Sequence, residues 1–388
     1  MKMKGKVAAA LIAVLILSLA ASVQTVQPKE NVLSEAQAIL KSVEAIRGLQ
    51  FKEPPKIVVL TRAEAERMFK PGRPDVERMK LEGDVYKMSL LLKPDYPYVH
   101  EKVEQSVGWI AATVGDTIYI IEENFLSDPA TAKRVIAHES VHVLQKQWFN
   151  APYGGPTLDT TKAIQAAIEG DADLVADIYC NETGIPIHKI TDLYTRDPVT
   201  DLGIFPYVYG DRFVAYLYRR GGWPLVNSMY GNLPNTTKEV MFPKLYLENW
   251  TPVNLREEAV SMLPKGSEVV YSDRMGAFYI FLIYWGHGAS MANSTEMAEA
   301  WTGDWLVVGD SKEGDLTNRT LVWNVEFKDS KSAADFADFL RGLARGNPYA
   351  HFTIKEEEKR VVLRSWRMEG AEENEGKTAL PDLWKGVR

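Results

Sequence analysis

The chain has one cysteine, six histidines and no long basic run among its 388 residues. With Cys180 alone, no disulfide can form within the chain, so stability has to come from packing and from any metal that binds. A net charge of -7 without basic clusters argues against nucleic acid as the main partner. Beyond the N-terminus, no apolar stretch is long enough to span a bilayer.

The first 24 residues have the composition of a secretory signal. Met1–Lys6 is basic, Val7–Ala21 is apolar apart from Ser18, and small residues follow. This order is typical of a signal peptide, although the same run would also serve as an uncleaved membrane anchor. We therefore expect residues 1–24 to direct the protein to the cell surface or the extracellular space, with any membrane tether at the N-terminus only.

Five asparagines lie in the Asn-x-Ser/Thr pattern of N-glycosylation acceptors. They are Asn181, Asn235, Asn249, Asn293 and Asn318. Their number agrees with export and predicts a glycoprotein.

Apolar periodicity predicts an α+β protein. A helix is expected over 32–49, a buried strand over 56–60, and a helix after a capping box formed by Thr61 and Glu64. The predicted hairpin has strands at 109–112 and 117–121 around a Gly-Asp turn. Further helices are expected over 75–92, 129–148, 160–180, 275–285 and 332–344, and further strands over 305–308, 321–327, 352–354 and 360–364.

The predicted helix 129–148 carries the motif His138-Glu139-x-x-His142. Residues four apart share one face of a helix, so both imidazoles can reach one metal ion. Glu139 lies about 100° round the helix and can address a water molecule at that ion. The alternative is a chance motif in which two core histidines are satisfied separately.

Zinc bound by two histidines takes a third protein ligand and keeps a position open for water. No histidine lies between His142 and His188, which favours Glu169 on the following helix. Glu169 and Asp173 are four residues apart, and such a pair repels unless a cation or a donor lies between them. A solvated acidic face is the alternative, and the other ligand candidates are Asp171, Asp173, Glu182 and His188.

This HExxH…Glu-x-x-x-Asp arrangement resembles the gluzincin metallopeptidases. The resemblance implies a zincin-like core with an edge-strand sheet, the HExxH helix and a following ligand helix. It implies Zn²⁺ held by His138, His142 and Glu169. It also implies that Asp173, outside the ligand set, accepts a hydrogen bond from the ligand histidine His138.

A longer pattern resembles a group of exported, zinc-dependent peptidase-like proteins of prokaryotes. The segments that carry it are 138–145, 169–172, 206–214, 221–223, 236–243 and 301–305. Where that group often has a histidine before a proline, this chain has Phe242 before Pro243. If that histidine helps to hold the transition state, this chain either lacks that group or uses a tyrosine instead.

These observations predict a secreted or surface-anchored zinc endopeptidase that acts on peptide or protein substrates. Glu139 is the expected general base, and Tyr207 and Tyr209 are candidate oxyanion donors, with packing as the commoner role for a tyrosine. The edge strand of the hairpin would pair with an extended peptide main chain.

The expected domains are a catalytic domain at 29–260, a C-terminal α/β part at 261–368 packed on it, and an acidic tail at 369–388. Two other functions fit the same motif. One is a non-catalytic, zinc-stabilised cell-envelope binding protein, and the other is a metallohydrolase of a non-peptide amide. Because a purely structural site needs no general base, Glu139 favours an enzyme.

Overall fold

A computed structural model of the chain describes residues 29–70, 72, 74–104 and 110–369. The predicted signal at 1–24 and the predicted tail beyond Glu369 lie outside the described residues. The described chain is a mixed α+β protein with two sheets, which confirms the predicted class. Within these ranges, no helix is both long and apolar enough to cross a membrane.

The order of helices and strands follows the predicted one closely. The helices are α1 (Lys29–Arg47), α2 (Arg62–Met68), α3 (Val76–Met88), α4 (Tyr98–Glu104), α5 (Glu122–Ser127), α6 (Pro129–Phe149), α7 (Leu158–Thr183), α8 (Pro198–Met229), α9 (Thr237–Met241), α10 (Pro243–Leu247), α11 (Arg256–Ser261), α12 (Ala277–Gly286), α13 (Met291–Ala300) and α14 (Ser330–Ala344). The strands are β1 (Lys56–Leu60), β2 (Ala111–Val114), β3 (Thr117–Ile121), β4 (Glu268–Asp273), β5 (Trp301–Glu313), β6 (Leu316–Phe327), β7 (His351–Glu357) and β8 (Arg360–Glu369).

The chain divides into two compact units that alternate along the sequence. The described part of the first unit falls within 29–72, 104–147 and 175–187, and that of the second within 73–103, 148–174 and 188–369. Helix α7 contributes to both units. The domain boundaries at 29–260 and 261–368 stay a prediction.

The first unit contains a three-stranded sheet in the order β1-β3-β2. Strand β1 runs parallel to β3, and β2 pairs antiparallel with β3 and lies at an edge. The predicted hairpin is confirmed, with Gly115 in the left-handed region at the turn. The predicted capping box is also confirmed, because Thr61 and Glu64 exchange both capping hydrogen bonds at the start of α2.

The second unit is built on a five-stranded antiparallel sheet in the order β4-β5-β6-β8-β7. Helix α12 is apolar throughout and buried in its core. Strands β5 and β6 extend well beyond the predicted 305–308 and 321–327, because their polar ends pair with each other in register. Strand β4 and the helices α9, α10, α11 and α13 were not predicted, since each is short or has few buried apolar residues.

A buried carboxylate ties this sheet to α12. The backbone N–H groups of Met275 and Gly276 donate to Asp304, over 3.0 and 2.9 Å, and so do the indoles of Trp301 and Trp323, over 3.1 and 2.8 Å. Burial raises the pKa of Asp304 to about 6, although its donors favour the ionised form. The segment 301–305 is thus explained by a structural role, as the anchor between β5, β6 and the start of α12.

We expect Asp304→Asn to lower the free energy of unfolding by about 2–6 kcal/mol, because its amide group would face two buried N–H donors at about 1–3 kcal/mol each. Each carboxylate oxygen accepts two of the four bonds, so neither orientation of the amide avoids this. Urea unfolding measures the change. Asp315→Asn in the exposed β5–β6 turn is the control, with an expected change within about 0.5 kcal/mol. Equal stability of the two variants would contradict the anchor role.

Helices α7 and α8 cross with their backbones in direct contact, within the second unit. A Cβ atom on Gly170 would lie 2.1 Å from the carbonyl oxygen of Gly210. One on Gly210 would lie 2.2 Å from the carbonyl oxygen of Ala166. Glycine at these two positions is therefore what allows the close approach. Farther along, α8 is kinked at Gly221 and Gly222, whose backbone angles are not helical.

A matched pair of substitutions in α8 tests this crossing. Gly210→Ala should lower the free energy of unfolding by about 1–3 kcal/mol or more, because its methyl group would overlap the backbone of α7. Gly203→Ala lies in the same helix with open space around it, and it should stabilise the protein by up to about 1 kcal/mol. Thermal and urea unfolding measure both. A stable Gly210→Ala protein would mean that the helices are not held this closely.

Candidate metal centre

Three polar side chains of the motif helix converge in the first unit. The Nε2 atoms of His138 and His142 lie 3.2 Å apart. A carboxylate oxygen of Glu139 lies within 4.8 Å of the ligand atoms of both histidines. His138 is buried, while Glu139 and His142 are half-buried. The three residues therefore form a possible metal-binding triad, as the motif predicted.

The distance between the two imidazoles fits a shared metal ion. Tetrahedral zinc with Zn–N bonds of about 2.0–2.1 Å separates two ligand nitrogens by about 3.3 Å. The observed 3.2 Å between His138 and His142 is close to this value. A hydrogen bond from one ring to the other would give the same separation. The geometry therefore fits a shared ion, and the role of the two histidines at a metal stays a prediction.

Gln145 orients one of these imidazoles. Its side-chain oxygen lies 2.8 Å from Nδ1 of His142, and its side chain is buried. An amide oxygen only accepts hydrogen bonds, so Nδ1 carries the proton and Nε2 keeps its lone pair for a metal. This role of Gln145 was not predicted from the sequence. Its spacing of three residues from His142 is the signal that would have identified it.

The motif helix is fixed within its unit from two sides. The Thr113 hydroxyl of edge strand β2 donates to the backbone carbonyl oxygen of Glu139 over 2.9 Å. Arg134 donates twice to Asp177 at the end of α7, over 2.8 and 3.1 Å. Both side chains of that ion pair are largely buried. These contacts hold α6 beside the strand that was predicted to receive substrate.

The predicted third ligand lies on α7 in the second unit. Glu169 and Asp173 are 3% and 4% exposed, so the alternative of a solvated acidic face is wrong. The Tyr153 hydroxyl donates to Glu169 from the loop before α7. Sequence reasoning did not find Tyr153, since nothing local marks a tyrosine sixteen residues away as a partner. The roles of Glu169 and Asp173 at a metal stay predictions.

The other candidates for the third ligand differ in their surroundings. Asp171 is fully buried and accepts a hydrogen bond from the Tyr230 hydroxyl over 2.5 Å. The Tyr230 ring stacks on Phe149 with ring centroids 4.1 Å apart. Glu182 and His188 are exposed. The hydrogen bond from Tyr230 therefore accounts for the buried carboxylate of Asp171 without a metal ion.

The two tyrosines predicted as oxyanion donors lie on α8 in the second unit. Tyr209 is buried against Phe205 and Phe278, with ring centroids 5.1 and 5.5 Å away, and burial raises its pKa to about 12. Packing, the alternative role, accounts for Tyr209. Tyr207 is 38% exposed. Phe242, at the junction of α9 and α10, is half-buried. The oxyanion donor stays a prediction.

Comparison with known families finds two partial matches. Residues 98–148 match the eCIS core domain, and residues 264–380 match a domain of unknown function, DUF8575. The first range contains the hairpin and the motif triad but ends before Glu169. The second contains the whole five-stranded sheet. No curated protein and no solved structure matches the chain.

Metal content tests the triad directly. We expect about one zinc ion per chain after dialysis, and His142→Ala should lose most of it, because it removes one of the two imidazoles that are expected to bind the ion. Inductively coupled plasma mass spectrometry measures the zinc. His351→Ala, an exposed residue of β7, is the control and should keep wild-type zinc content. If His142→Ala held as much zinc as His351→Ala, the metal would bind at a site other than the motif triad.

Proposed function

We propose that the chain is a zinc-dependent peptidase centred on His138, Glu139 and His142. The observation that carries the proposal is the 3.2 Å separation of the two Nε2 atoms with a carboxylate of the same helix beside them. Two imidazoles and one acid are the set that zinc hydrolases use for amide bonds. The eCIS core domain match over 98–148 supports treating this part as a domain in its own right.

The proposed reaction is hydrolysis of a peptide bond. When bound, zinc lowers the pKa of a water molecule and polarises the scissile carbonyl. Glu139 accepts a proton from the attacking water and returns it to the leaving amine as the C–N bond breaks. Gln145 keeps His142 in the tautomer whose Nε2 is available to the ion. A purely structural site would instead have four protein ligands and no base.

We include Glu169 as the third ligand and Asp173 as the partner of a ligand histidine. Arg134 and Asp177 pair α6 with the end of α7 inside the first unit. Asp173 and Glu169 precede Asp177 by one and two turns of α7, and the motif histidines follow Arg134 by one and two turns of α6. Residues four apart share a helix face, so Glu169 and Asp173 lie on one face of α7, as a ligand and its hydrogen-bond partner would require.

An extended peptide is the proposed substrate, and cleavage within the chain, as by an endopeptidase, is the proposed reaction. Strand β2 lies at an edge of its sheet and is bonded to the motif helix through Thr113. A substrate strand that pairs with β2 gains main-chain hydrogen bonds without a demand on its sequence. Four of the five glycosylation acceptors, all except Asn318, are exposed, which supports the proposed extracellular or cell-surface location.

Glu139→Gln tests the proposal. We expect it to lower kcat/KM about 100-fold to 10,000-fold with zinc content unchanged, because it removes the general base and leaves both imidazoles. A mixed peptide library read by mass spectrometry shows the cleavage products and gives the rates. Glu66→Gln, an exposed acid of α2, is the matched control and should cleave as the wild type does.

Two other outcomes would overturn the peptidase proposal. Undiminished cleavage by Glu139→Gln would remove Glu139 from the mechanism. A zinc-loaded wild type that cleaves no peptide would instead favour the zinc-stabilised binding protein or the hydrolase of a non-peptide amide.

A further inference from the structure

A cavity of about 250 Å³ lies within the second unit, between α3, α4 and the loop before β7. Its walls combine aromatic rings with basic side chains, contributed by Lys80, Lys87, Tyr96, Tyr98, His100 and Tyr349. His100 is exposed, so the cavity opens to solvent. Because a cavity of about 150 Å³ is enough for benzene, this one has room for an aromatic ring with a short polar group.

The aromatic wall formed by Tyr98 is fixed by contacts with α3. A Cβ atom on Gly83 would lie 3.2 Å from the Tyr98 ring, so the ring lies directly on the helix backbone. Tyr98 meets Tyr86 edge to face, with ring centroids 5.4 Å apart, and its hydroxyl donates to Glu82 over 3.0 Å. This side of the cavity is therefore formed by the fold itself, as is usual for small-molecule sites.

The ring of Tyr349 contacts two cations. Nζ of Lys87 lies 5.1 Å from the ring centroid, and the guanidinium carbon of Arg367 lies 4.5 Å from it. The Tyr349 hydroxyl donates to Asp84, which also accepts from Arg319 and lies 3.4 Å from Arg367. Among the described residues that line the cavity, the only acid is thus bonded to groups other than Lys87.

Lys87 is the cation of this cavity that lacks a counter-charge. Its side chain is half-buried and forms no ion pair with any acid in the described part of the chain, whereas Lys80 pairs with Glu77 over 2.9 Å. Burial lowers the pKa of the Lys87 ammonium group, although Asp84 and Asp95 favour its charged form. An anion in the cavity would therefore compensate a charge that the protein leaves unpaired.

We propose that this cavity binds a small aromatic carboxylate, whose carboxylate group pairs with the ammonium group of Lys87. The ligand ring packs against the tyrosine side chains of the wall, because aromatic rings favour offset and edge-to-face contacts with one another. An ion pair of this kind is screened less than one on the open surface, since Lys87 is half-buried. The site uses only residues of the second unit and goes beyond the proposed peptidase function.

Three probes test the two parts of this ligand on the wild-type protein. Phenylacetate has both the ring and the charge, phenylacetamide has the ring without the charge, and acetate has the charge without the ring. We expect saturable binding of phenylacetate in a ligand-observed NMR titration. Each of the other two should bind at least about 10-fold more weakly, because one loses the charge-assisted hydrogen bond and the other loses the aromatic contact.

Substitutions of Lys87 locate the binding. Lys87→Met should weaken phenylacetate binding about 10-fold to 100-fold, because it keeps the length of the side chain and removes its charge. Lys87→Arg keeps the charge and should retain most of the affinity. Lys265→Met, which removes an exposed cation of the same unit, is the control and should bind phenylacetate as the wild type does. Thermal unfolding shows whether each variant is folded.

Each contrary outcome removes a different part of the proposal. A folded wild type that shows no saturable binding of phenylacetate would overturn it. Equal binding of phenylacetamide, or wild-type affinity in Lys87→Met, would exclude the ion pair. Equal binding of acetate would exclude the aromatic part. The three probes on the wild type decide the matter even if Lys87→Met does not fold.

Discussion

The direct backbone contact between α7 and α8 is the constraint on which the rest of the second unit depends. Neither Gly170 nor Gly210 has room for a Cβ atom, so α7 can neither rotate nor slide without a clash. The rotation of α7 about its axis in turn decides which of its carboxylates reaches which hydrogen-bond donor. Glu169 and Asp171 are two residues apart, about 200° round the helix, and they meet Tyr153 and Tyr230 respectively.

Buried carboxylates, each with several hydrogen-bond donors, connect distant parts of this chain, as disulfides do in many other proteins. Asp304 accepts four N–H groups and joins the sheet to α12. Asp159, at the start of α7, accepts from Arg274 and from both the backbone and the hydroxyl of Thr237. Such anchors specify one arrangement, because any shift leaves a buried polar group without its partner. Two segments of the longer sequence pattern, 236–243 and 301–305, therefore contain residues that anchor the fold.

The residues predicted for the metal centre differ in how far apart they lie in the sequence. His138, Glu139, His142 and Gln145 lie within eight residues of one helix, and the helical period alone sets their mutual positions. The prediction of this triad was therefore reliable. Glu169 was predicted by elimination and by resemblance, and its burial removes the solvated-face alternative without assigning it to a metal. Tyr209 was predicted as an oxyanion donor. In the structure its packing against Phe205 and Phe278 explains its position instead.

The sequence by itself determined the features that depend on neighbours a few residues apart: the helical periods, the capping box of α2, the hairpin turn at Gly115 and the HExxH face of α6. Strand lengths in the large sheet and the polar anchors were decided only by tertiary structure. Asp304 and Trp323 are nineteen residues apart, and Asp159 and Arg274 are more than a hundred apart. Such pairs form only when the whole chain has folded, and no local pattern encodes which donor will reach which buried acid.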